Sequence, residues 1–370
     1  MINLERILIS GYYGFRNNGD DALLKAIVDD LRKQNPKIFL TVLSKNPKET
    51  RRRYCVHAVN RMNPFAVLYA LIRCRLLLSG GGTLIQDRTS TKSLLYYLGI
   101  IRLAKLFGKK VMLYSNGIGP LREEHVPMTR KVLNRVDLIT LRDRAAEEEL
   151  EKIGVAKPKI FLTADPAFTL LSESAEKGKK LLADCGLDPD RETVCISVRK
   201  WKALPEHFCD AIAEAADMLA EQYQILFVPM QPSKDVAISQ EIARKMKHSS
   251  AMFLETENVG EMLAVLGNMK LCIGMRLHSL IYAASQSVPV IGLVYDPKIT
   301  GFMDYIGQKF YLHVDTLSRD ALLGQIQKVL EQYDEIRSEL SGTSEILRKK
   351  AEQNARLAEM LQRGEELRLE

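Results

Sequence analysis

Short apolar runs that lead directly into glycine-bearing loops recur along this chain, and they constrain its fold more than any other feature. The run at 7–10 is followed by a loop that begins at Gly11, and then by leucines and isoleucines at helical spacing. The same order returns after the runs at 76–79, 111–115 and 137–141. Strands that alternate with helices predict a parallel, doubly wound α/β sheet.

The chain is long enough for two such sheets. The alternation pauses in a Lys- and Glu-rich stretch from 172 to 180 and then starts again. Because 370 residues exceed the size at which one core usually stops growing, two domains are expected. We predict two Rossmann-like domains that face one another across a cleft, which resembles the GT-B architecture. Their predicted bounds are 1–172 and 173–345, followed by a C-terminal helix over 346–370.

Composition is typical of a soluble globular protein, with 46% hydrophobic and 27% charged residues. The net charge of +7 suits anionic substrates or an anionic membrane surface, and it is too diffuse to indicate nucleic acid. The six cysteines show no C-x-x-C spacing and indicate core thiols in a reducing cytoplasm. No signal-peptide pattern is present, and the most apolar segment, 65–79, is shorter than the ~20 residues of a membrane span. We therefore predict a cytoplasmic protein.

The segment 274–279, G-M-R-L-H-S, places an arginine and a histidine at a strand-to-helix turn. Open α/β sheets bind ligands at such strand ends. Arg276 offers a planar fork for phosphate or carboxylate, and His278 offers a proton near neutral pH. The two residues therefore predict chemistry on a small anion. The alternative is a structural ion pair for Arg276 and a capping or core hydrogen bond for His278.

Other strand ends of the second half also carry cations. Arg199 and Lys298 follow the runs at 194–198 and 290–294. Together with Arg276 they suit a compact polyanion that carries both carboxylate and phosphate, although any one of them alone could be an exposed charge. Further candidate binding residues here are Gln231, Ser279 and Asp296.

The first half contributes loops rich in glycine, where backbone N–H groups can approach a phosphate or sugar closely. Their spacing is neither the dinucleotide G-x-G-x-x-G nor a P-loop, and simple turn geometry is the alternative for any one of them. The candidate binding residues are Asn18, Asp20, Gly81, Gly82, Asp87 and Asn116. No His/Cys cluster or paired carboxylates have metal-ligand spacing, so we predict a site without metal or cofactor.

Seven motifs follow one another along the chain: S-G-Y-Y-G-F-R-N-N-G-D-D-A, S-G-G-G-T-L-I-Q-D, N-G-I-G-P, D-P-A-F, S-V-R-K-W, G-M-R-L-H-S and Y-D-P-K. In this order they resemble the polysaccharide pyruvyl transferase family, close to its CsaB type. The resemblance extends from about Ile7 to Gly301. Arg16 is a departure, since relatives often carry a small or acidic residue in the first loop.

The resemblance implies an enzyme that transfers the enolpyruvyl carbons of phosphoenolpyruvate to a sugar as a cyclic ketal and releases phosphate. The implied acceptor is an N-acetylmannosamine in a lipid-linked amino-sugar oligosaccharide, a precursor of a secondary cell wall polymer involved in S-layer anchoring. Arg199, Arg276 and Lys298 would bind the donor, and His278 would be the general acid.

The reaction also needs a base to take the hydroxyl protons. Asp20, Asp21, Asp87 and Asp296 are candidates, and Asp21 has a helix cap as its alternative role.

Two other functions are compatible with the same pattern. A GT-B glycosyltransferase would use the cations to bind the diphosphate of a nucleotide sugar, and a noncatalytic saccharide-binding protein would keep the fold alone. The basic run 51–53 and the basic, apolar stretch 61–75 also suggest peripheral contact with the cytoplasmic leaflet of the membrane. The alternative is a solvated basic turn followed by an ordinary buried helix and strand.

Overall fold

A computed structural model describes residues 6–88, 90–202, 204–254, 256 and 258–369. The chain forms two compact units, here called the first and second units. The first unit comprises Met1–Thr169 and Leu347–Glu370, and the second comprises Leu170–Ile346.

The first unit contains a seven-stranded parallel sheet in the order β3-β2-β1-β4-β5-β6-β7. Its strands are β1 Arg6–Tyr13, β2 Phe39–Ser44, β3 His57–Asn60, β4 Leu76–Gly80, β5 Lys110–Asn116, β6 Leu138–Leu141 and β7 Lys159–Leu162. Its first six helices are α1 Asn18–Gln34, α2 Pro47–Tyr54, α3 Pro64–Arg73, α4 Thr91–Leu106, α5 Val126–Leu133 and α6 Arg144–Lys152. Short 3-10 helices cover Glu123–His125 and Pro166–Thr169.

The second unit contains a six-stranded parallel sheet in the order β10-β9-β8-β11-β12-β13. Its strands are β8 Thr193–Ser197, β9 Gln224–Phe227, β10 Ala251–Met252, β11 Leu271–Gly274, β12 Val290–Val294 and β13 Tyr311–His313. Its helices are α7 Ala175–Asp184, α8 Phe208–Ala220, α9 Pro232–Lys245, α10 Val259–Gly267, α11 Leu277–Ser285, α12 Pro297–Tyr305 and α13 Arg319–Glu331, with a 3-10 turn at Val314–Thr316. Helix α14, Tyr333–Arg363, begins in this unit and continues into the first.

Both sheets have the strand order of doubly wound folds, so the predicted fold class of two Rossmann-like domains is confirmed. In each sheet the order reverses beside its first strand, between β1 and β4 and between β8 and β11. Ligands of such folds bind outside the carboxyl ends of the strands at these switch points.

Successive side chains along a strand point to opposite faces of the sheet, so neighbouring residues of the first sheet pack against helices on opposite sides. Leu8 and Leu77 belong to the layer that contains α3 to α6. Ile7 and Ile9 belong to the opposite layer, which contains α1, Tyr54 at the end of α2, and the final turns of α14.

Two details differ from the sequence analysis. The polar stretch 172–180 is partly helical, because the side chain of Ser174 caps α7 by accepting a bond from Lys177 N at 3.2 Å. The helical pattern that extends from about Ser318 to Glu370 is divided into α13 and α14 at Gln332, and the predicted C-terminal helix over 346–370 is part of α14, which ends at Arg363. Residues from 347 onward pack with the first unit.

Candidate functional site

The switch point of the second sheet brings two predicted arginines to neighbouring strand ends. Register pairs Ser197 of β8 with Gly274 of β11, and Met275 N donates to Ser197 O at 2.8 Å. Arg199 and Arg276 each follow one of these paired residues by two positions. The strand order therefore places both arginines at the edge where this fold binds ligands.

Tyr295 connects Arg199 with Lys298. Arg199 Nη1 donates to the Tyr295 hydroxyl at 2.9 Å, and the guanidinium carbon lies 5.0 Å from the Tyr295 ring centroid. Lys298 Nζ lies 5.3 Å from the same centroid. Trp201 completes the cluster. Its ring centroid lies 5.1 Å from the Arg199 guanidinium carbon and 4.9 Å from the Tyr295 ring centroid. Both aromatic residues belong to the motifs S-V-R-K-W and Y-D-P-K, in which the sequence indicated roles only for Arg199, Asp296 and Lys298.

Arg276 is held by the buried carboxylate of Asp235, a residue in the first turn of α9 whose role the sequence did not indicate. Its Nε donates to Asp235 Oδ2 at 2.9 Å and its Nη2 donates to Asp235 Oδ1, while Asp235 is fully buried. Gln231, a predicted binding residue, is part of the same arrangement: its backbone N donates to Asp235 Oδ2 at 2.8 Å, and its Oε1 accepts from Arg276 Nη2 at 3.5 Å. The ion pair considered as an alternative is therefore present. It orients Arg276 and neutralises part of its charge.

The first turn of α11 carries His278 and Ser279. The His278 ring is half-buried, with its centroid 5.9 Å from that of Tyr282. Ser279 is fully buried, and its hydroxyl donates to Arg276 O at 2.6 Å, so it stabilises the turn. Gly274 is required there, because a Cβ atom would lie 2.7 Å from Ser279 Oγ.

Asp296 occupies the N-cap position of α12. Its Oδ1 accepts a bond from Lys298 N at 3.2 Å, which orients the start of the helix that carries Lys298.

The first sheet brings Asp20 and the glycines together at its own switch point. Gly81 and Gly82 have φ angles of +73° and +76°, and a Cβ atom on Gly82 would lie 3.2 Å from Asp20 Oδ1. Asp20 also accepts a bond from Asn17 Nδ2. Asn18 is buried at the start of α1.

Asn116 and Asp87 have internal partners. Asn116 is fully buried, and its Nδ2 donates to Ser79 O at 2.8 Å and to Tyr114 O at 3.0 Å, which ties β4 to β5. Asp87 is 2% exposed and accepts from Arg122 N and from His125 Nδ1, the latter at 2.6 Å. His125 could not be selected from the sequence, because no local spacing signals a partner 38 positions away.

An aromatic cluster surrounds Arg61 beside the loop after β1. The rings of Tyr12 and Phe15 stack with centroids 4.1 Å apart, and the Arg61 guanidinium lies 5.3 Å from Phe15 and 4.3 Å from Tyr96. Arg61 Nη1 donates to Gly11 O at 2.8 Å. Burial raises the pKa of Tyr12, and Asp20 raises it further. Arg61 is only 8% exposed, so it is a buried member of this aromatic cluster and not part of a basic surface.

Within the described residues, no three His, Cys, Asp or Glu side chains are placed to hold a metal ion. The same part of the chain contains no helix that is both long and apolar enough to cross a membrane.

Comparison with known proteins gives a family match over most of the chain. The model of a family described as polysaccharide pyruvyl transferase matches residues 17–297. The amylovoran biosynthesis protein AmsJ of Erwinia amylovora is 22% identical over 392 residues, which cover 91% of this chain and 94% of AmsJ.

Solved structures of much lower identity share the fold. The UDP-GlcNAc 2-epimerase of Neisseria meningitidis, bound to UDP-GlcNAc, matches with a TM-score of 0.67 and 12% identity over 97% of this chain and 100% of that chain. Alr3699/HepE of Anabaena, in complex with UDP and glucose, matches with a TM-score of 0.65 and 12% identity, and the match covers 96% of this chain and 99% of that chain. These similarities concern the GT-B-like fold alone.

Proposed function

Because this chain belongs to the polysaccharide pyruvyl transferase family, as its motifs predict, we propose that it is a transferase that uses phosphoenolpyruvate as donor and forms a cyclic pyruvate ketal on a sugar. The observation that carries the donor assignment is the placement of Arg199 and Arg276 at adjacent strand ends, with Lys298 on the ring that Arg199 contacts. These cations suit a ligand with a phosphate and a carboxylate. The closer relation to the CsaB type stays a prediction.

The two arginines have different roles in donor binding. Asp235 fixes the orientation of Arg276 and offsets part of its charge, so Arg276 presents a pre-oriented fork. Arg199 and Lys298 supply most of the net positive charge. The N-terminal end of α11 adds the partial positive charge of a helix terminus beside them.

His278 acts as the general acid in this scheme. One sugar hydroxyl adds to C2 of phosphoenolpyruvate while His278 delivers a proton to the methylene C3, which becomes a methyl group. The C2–O bond to phosphate then breaks, and the second hydroxyl forms the other C–O bond of the ketal. The two hydroxyl protons balance the proton gained by the methyl group and the proton that leaves with phosphate.

We assign the base to His125. Its Nδ1 is hydrogen-bonded to buried Asp87, so the carboxylate orients the imidazole rather than acting directly. Two other candidates already have structural roles. Asp21 is buried, with its Oδ2 3.5 Å from Arg53 Nη1, and Asp296 caps α12. His125→Asn is expected to lower kcat by about 10²–10⁴-fold with little change in the KM for the donor, whereas exposed His57→Asn serves as the control.

We assign the acceptor to the loops after β1 and β4, where Asp20 and Gly82 lie close together. The proposed acceptor is the N-acetylmannosamine of a lipid-linked secondary cell wall polymer precursor. A cytoplasmic location fits this proposal, since all six cysteines are free thiols. Catalysis without a metal or cofactor also stays a proposal, and retention of activity in a chelator would test it.

The test combines the purified protein with phosphoenolpyruvate and a lipid-linked N-acetylmannosaminyl-N-acetylglucosamine acceptor. Phosphate release should accompany a product mass gain of one pyruvyl ketal. His278→Ala should lower kcat by about 10²–10⁴-fold while the Kd for phosphoenolpyruvate changes by less than about tenfold. Exposed His313→Ala, in the same unit, is the matched control.

Equal losses of kcat and donor affinity in His278→Ala would reject its role as an acid. Donor-dependent thermal stabilisation without product would reject the acceptor and keep the donor. Stabilisation by a UDP-sugar alone would favour a nucleotide-sugar glycosyltransferase instead.

A further inference from the structure

Helix α3 is apolar on two sides, and only one of them is buried. Val67 and Leu71 pack in the core of the first unit, whereas Phe65 is 81% exposed and Ile72 is 51% exposed. The neighbouring residues Met62, Leu68 and Tyr69 are exposed as well. A helix that is apolar all round is normally buried, so the exposed side calls for a second contact.

Helix α4 extends this apolar surface. It lies beside α3, and Lys109, which follows α4, donates from Nζ to Ile72 O at 2.6 Å at the end of α3. The α3–α4 face is defined here by its exposed apolar residues, which are Met62, Phe65, Leu68, Tyr69, Ile72, Leu95, Leu103, Leu106 and Phe107.

The sequence that forms this face is strongly basic, although Lys105 of α4 pairs with Asp137 at 2.7 Å between Nζ and Oδ2. Asp87 is the only acidic residue in the sequence between 57 and 110, and it is buried. The exposed basic residues on and beside the two helices are Arg73, Arg75, Lys92 and Arg102. A partner that is both apolar and anionic therefore suits this surface.

We propose that the α3–α4 face lies on an anionic lipid bilayer. The apolar side chains would enter the boundary between headgroups and acyl chains, while the surrounding Lys and Arg residues bind lipid phosphates. The basic run 51–53 is not part of this surface. Arg53 pairs with Asp21, and Tyr54 packs in the layer on the other side of the sheet.

The position of α3 connects this surface with the proposed acceptor, and this link rests on the proposed function. Helix α3 follows β3, so Met62 and Phe65 lie at the carboxyl edge of the first sheet. Arg61, one position before Met62, donates to Gly11 O near the carboxyl end of β1, directly before the loop assigned to the acceptor. A sugar on a lipid carrier would thus be presented near the loops assigned to it.

Co-sedimentation of the full chain with vesicles tests the proposal. The protein should sediment with phosphatidylglycerol vesicles and much less with phosphatidylcholine vesicles. Binding should weaken as salt rises from about 0.01 to about 0.15 M, because the screening length falls from roughly 30 to roughly 8 Å. The double variant Phe65→Ser/Ile72→Ser should bind about tenfold more weakly or worse, since two large apolar side chains no longer enter the bilayer.

The matched control is Leu171→Ser/Met218→Ser, which removes two exposed apolar side chains from the second unit and should bind normally. Absence of sedimentation with phosphatidylglycerol, equal loss in both double variants, or equal binding to phosphatidylcholine would overturn the proposal. So would a dimer, detected by light scattering, that depends on Phe65 and Ile72 without vesicle binding. The assay contains neither donor nor acceptor, so its failure is distinguishable from a failure of the proposed reaction.

Discussion

At the scale of single residues, buried carboxylates decide what the neighbouring cations can do. Asp235 binds Arg276 through two oxygens while being fully inaccessible to solvent. A buried ion pair of this kind contributes more to orientation than to stability, but removal of one partner leaves an uncompensated charge. Arg276 consequently depends on Asp235 for both its position and its tolerance of burial.

Asp235→Ala is expected to destabilise the second unit by about 3–5 kcal/mol, because the Arg276 guanidinium loses its buried partner. Inorganic phosphate should restore more thermal stability to this variant than to the unaltered protein, since an anion replaces the missing charge. Thermal melts with and without phosphate check both effects. Asp190→Asn is the control, because the Asp190 side chain is 82% exposed and its ion pair with Lys179 lies at the surface. A melt unchanged by Asp235→Ala would contradict the assigned role.

Asp30 makes the first unit sensitive to pH. Burial is the main cause that raises the pKa of Asp30 to about 7. The hydrogen bond that Thr169 donates at 2.7 Å lowers the pKa, while Glu352 and Asp29 contribute to its rise. Because the pKa is higher in the folded than in the unfolded chain, the associated stability is present at low pH. It is lost as the pH rises from about 4 through about 7.

Asp30→Asn should therefore raise the free energy of unfolding at pH 8 by roughly 2–4 kcal/mol and change it little near pH 4. The asparagine oxygen can still accept the bond from Thr169. Urea unfolding at the two pH values measures the difference, and Asp315→Asn, at an exposed position of the second unit, is the control. A gain of equal size at both pH values would show that the effect does not come from ionisation.

At the scale of elements, tight connections between strands and helices place the loops of the first sheet. Gly14, directly after β1, has a φ angle of +78°. A Cβ atom there would lie 2.3 Å from Ser44 Oγ and 2.6 Å from Asn46 N. The loop after β1 therefore approaches the backbone after β2 more closely than any side chain allows.

Gly14→Ala should lower the free energy of unfolding by about 1–3 kcal/mol more than Gly108→Ala does. Both glycines have left-handed backbone conformations, but only at position 14 would the new Cβ atom clash with neighbouring atoms. Gly108 has a φ angle of +64°, and a Cβ atom added there would meet nothing within 4 Å, which makes it the matched control. Chemical unfolding of both variants gives the comparison. Equal losses of stability in the two variants would mean that the loop after β1 can move to accept the added methyl group, and would contradict this prediction.

Element boundaries were readable from sequence where a local signal exists. Asn63 with Pro64 and Asp296 with Pro297 each begin a helix as capping rules expect. The division at Gln332 was missed, since that position carries neither glycine nor proline and the helical pattern continues on both sides.

At the scale of the whole molecule, the last turns of helix α14 pack against the sheet formed by the first part of the chain. Ala355, Leu357 and Ala358 are fully buried in the same core layer as Ile7 and Ile9. Asn354 is buried too: it accepts a bond from Thr163 at 2.8 Å and donates to Ala164 O at 3.2 Å. The end of α14 thus completes the core of the first unit.

Ala358→Asp should unfold or strongly destabilise the first unit, by several kcal/mol, because it buries an unpaired carboxylate. Ile346→Asp on the same helix should have little effect, since Ile346 is 58% exposed. Limited proteolysis together with thermal melts would locate the damage. Similar melts for the two variants would contradict the packing of α14 in this core.

Much of the candidate site followed from one physical rule. Parallel strands end at the same edge of a sheet, so residues after β8, β11 and β12 were expected to lie near one another. Arg199, Arg276 and Lys298 could be selected on that basis. Their partners could not, because side-chain pairing depends on strand order and register rather than on local spacing.

By itself the sequence determined the alternation of strands and helices, the two sheets, the loops at their carboxyl edges and the family. These features depend on hydrophobic period, glycine positions and motifs, which are local properties of a chain. The tertiary structure alone decided that Tyr295 joins Arg199 to Lys298, that Asp235 holds Arg276 and that Asp87 orients His125. It also decided that α14 completes the first core. The reason is that these contacts join residues far apart in the chain, and only the packed strand order brings them together.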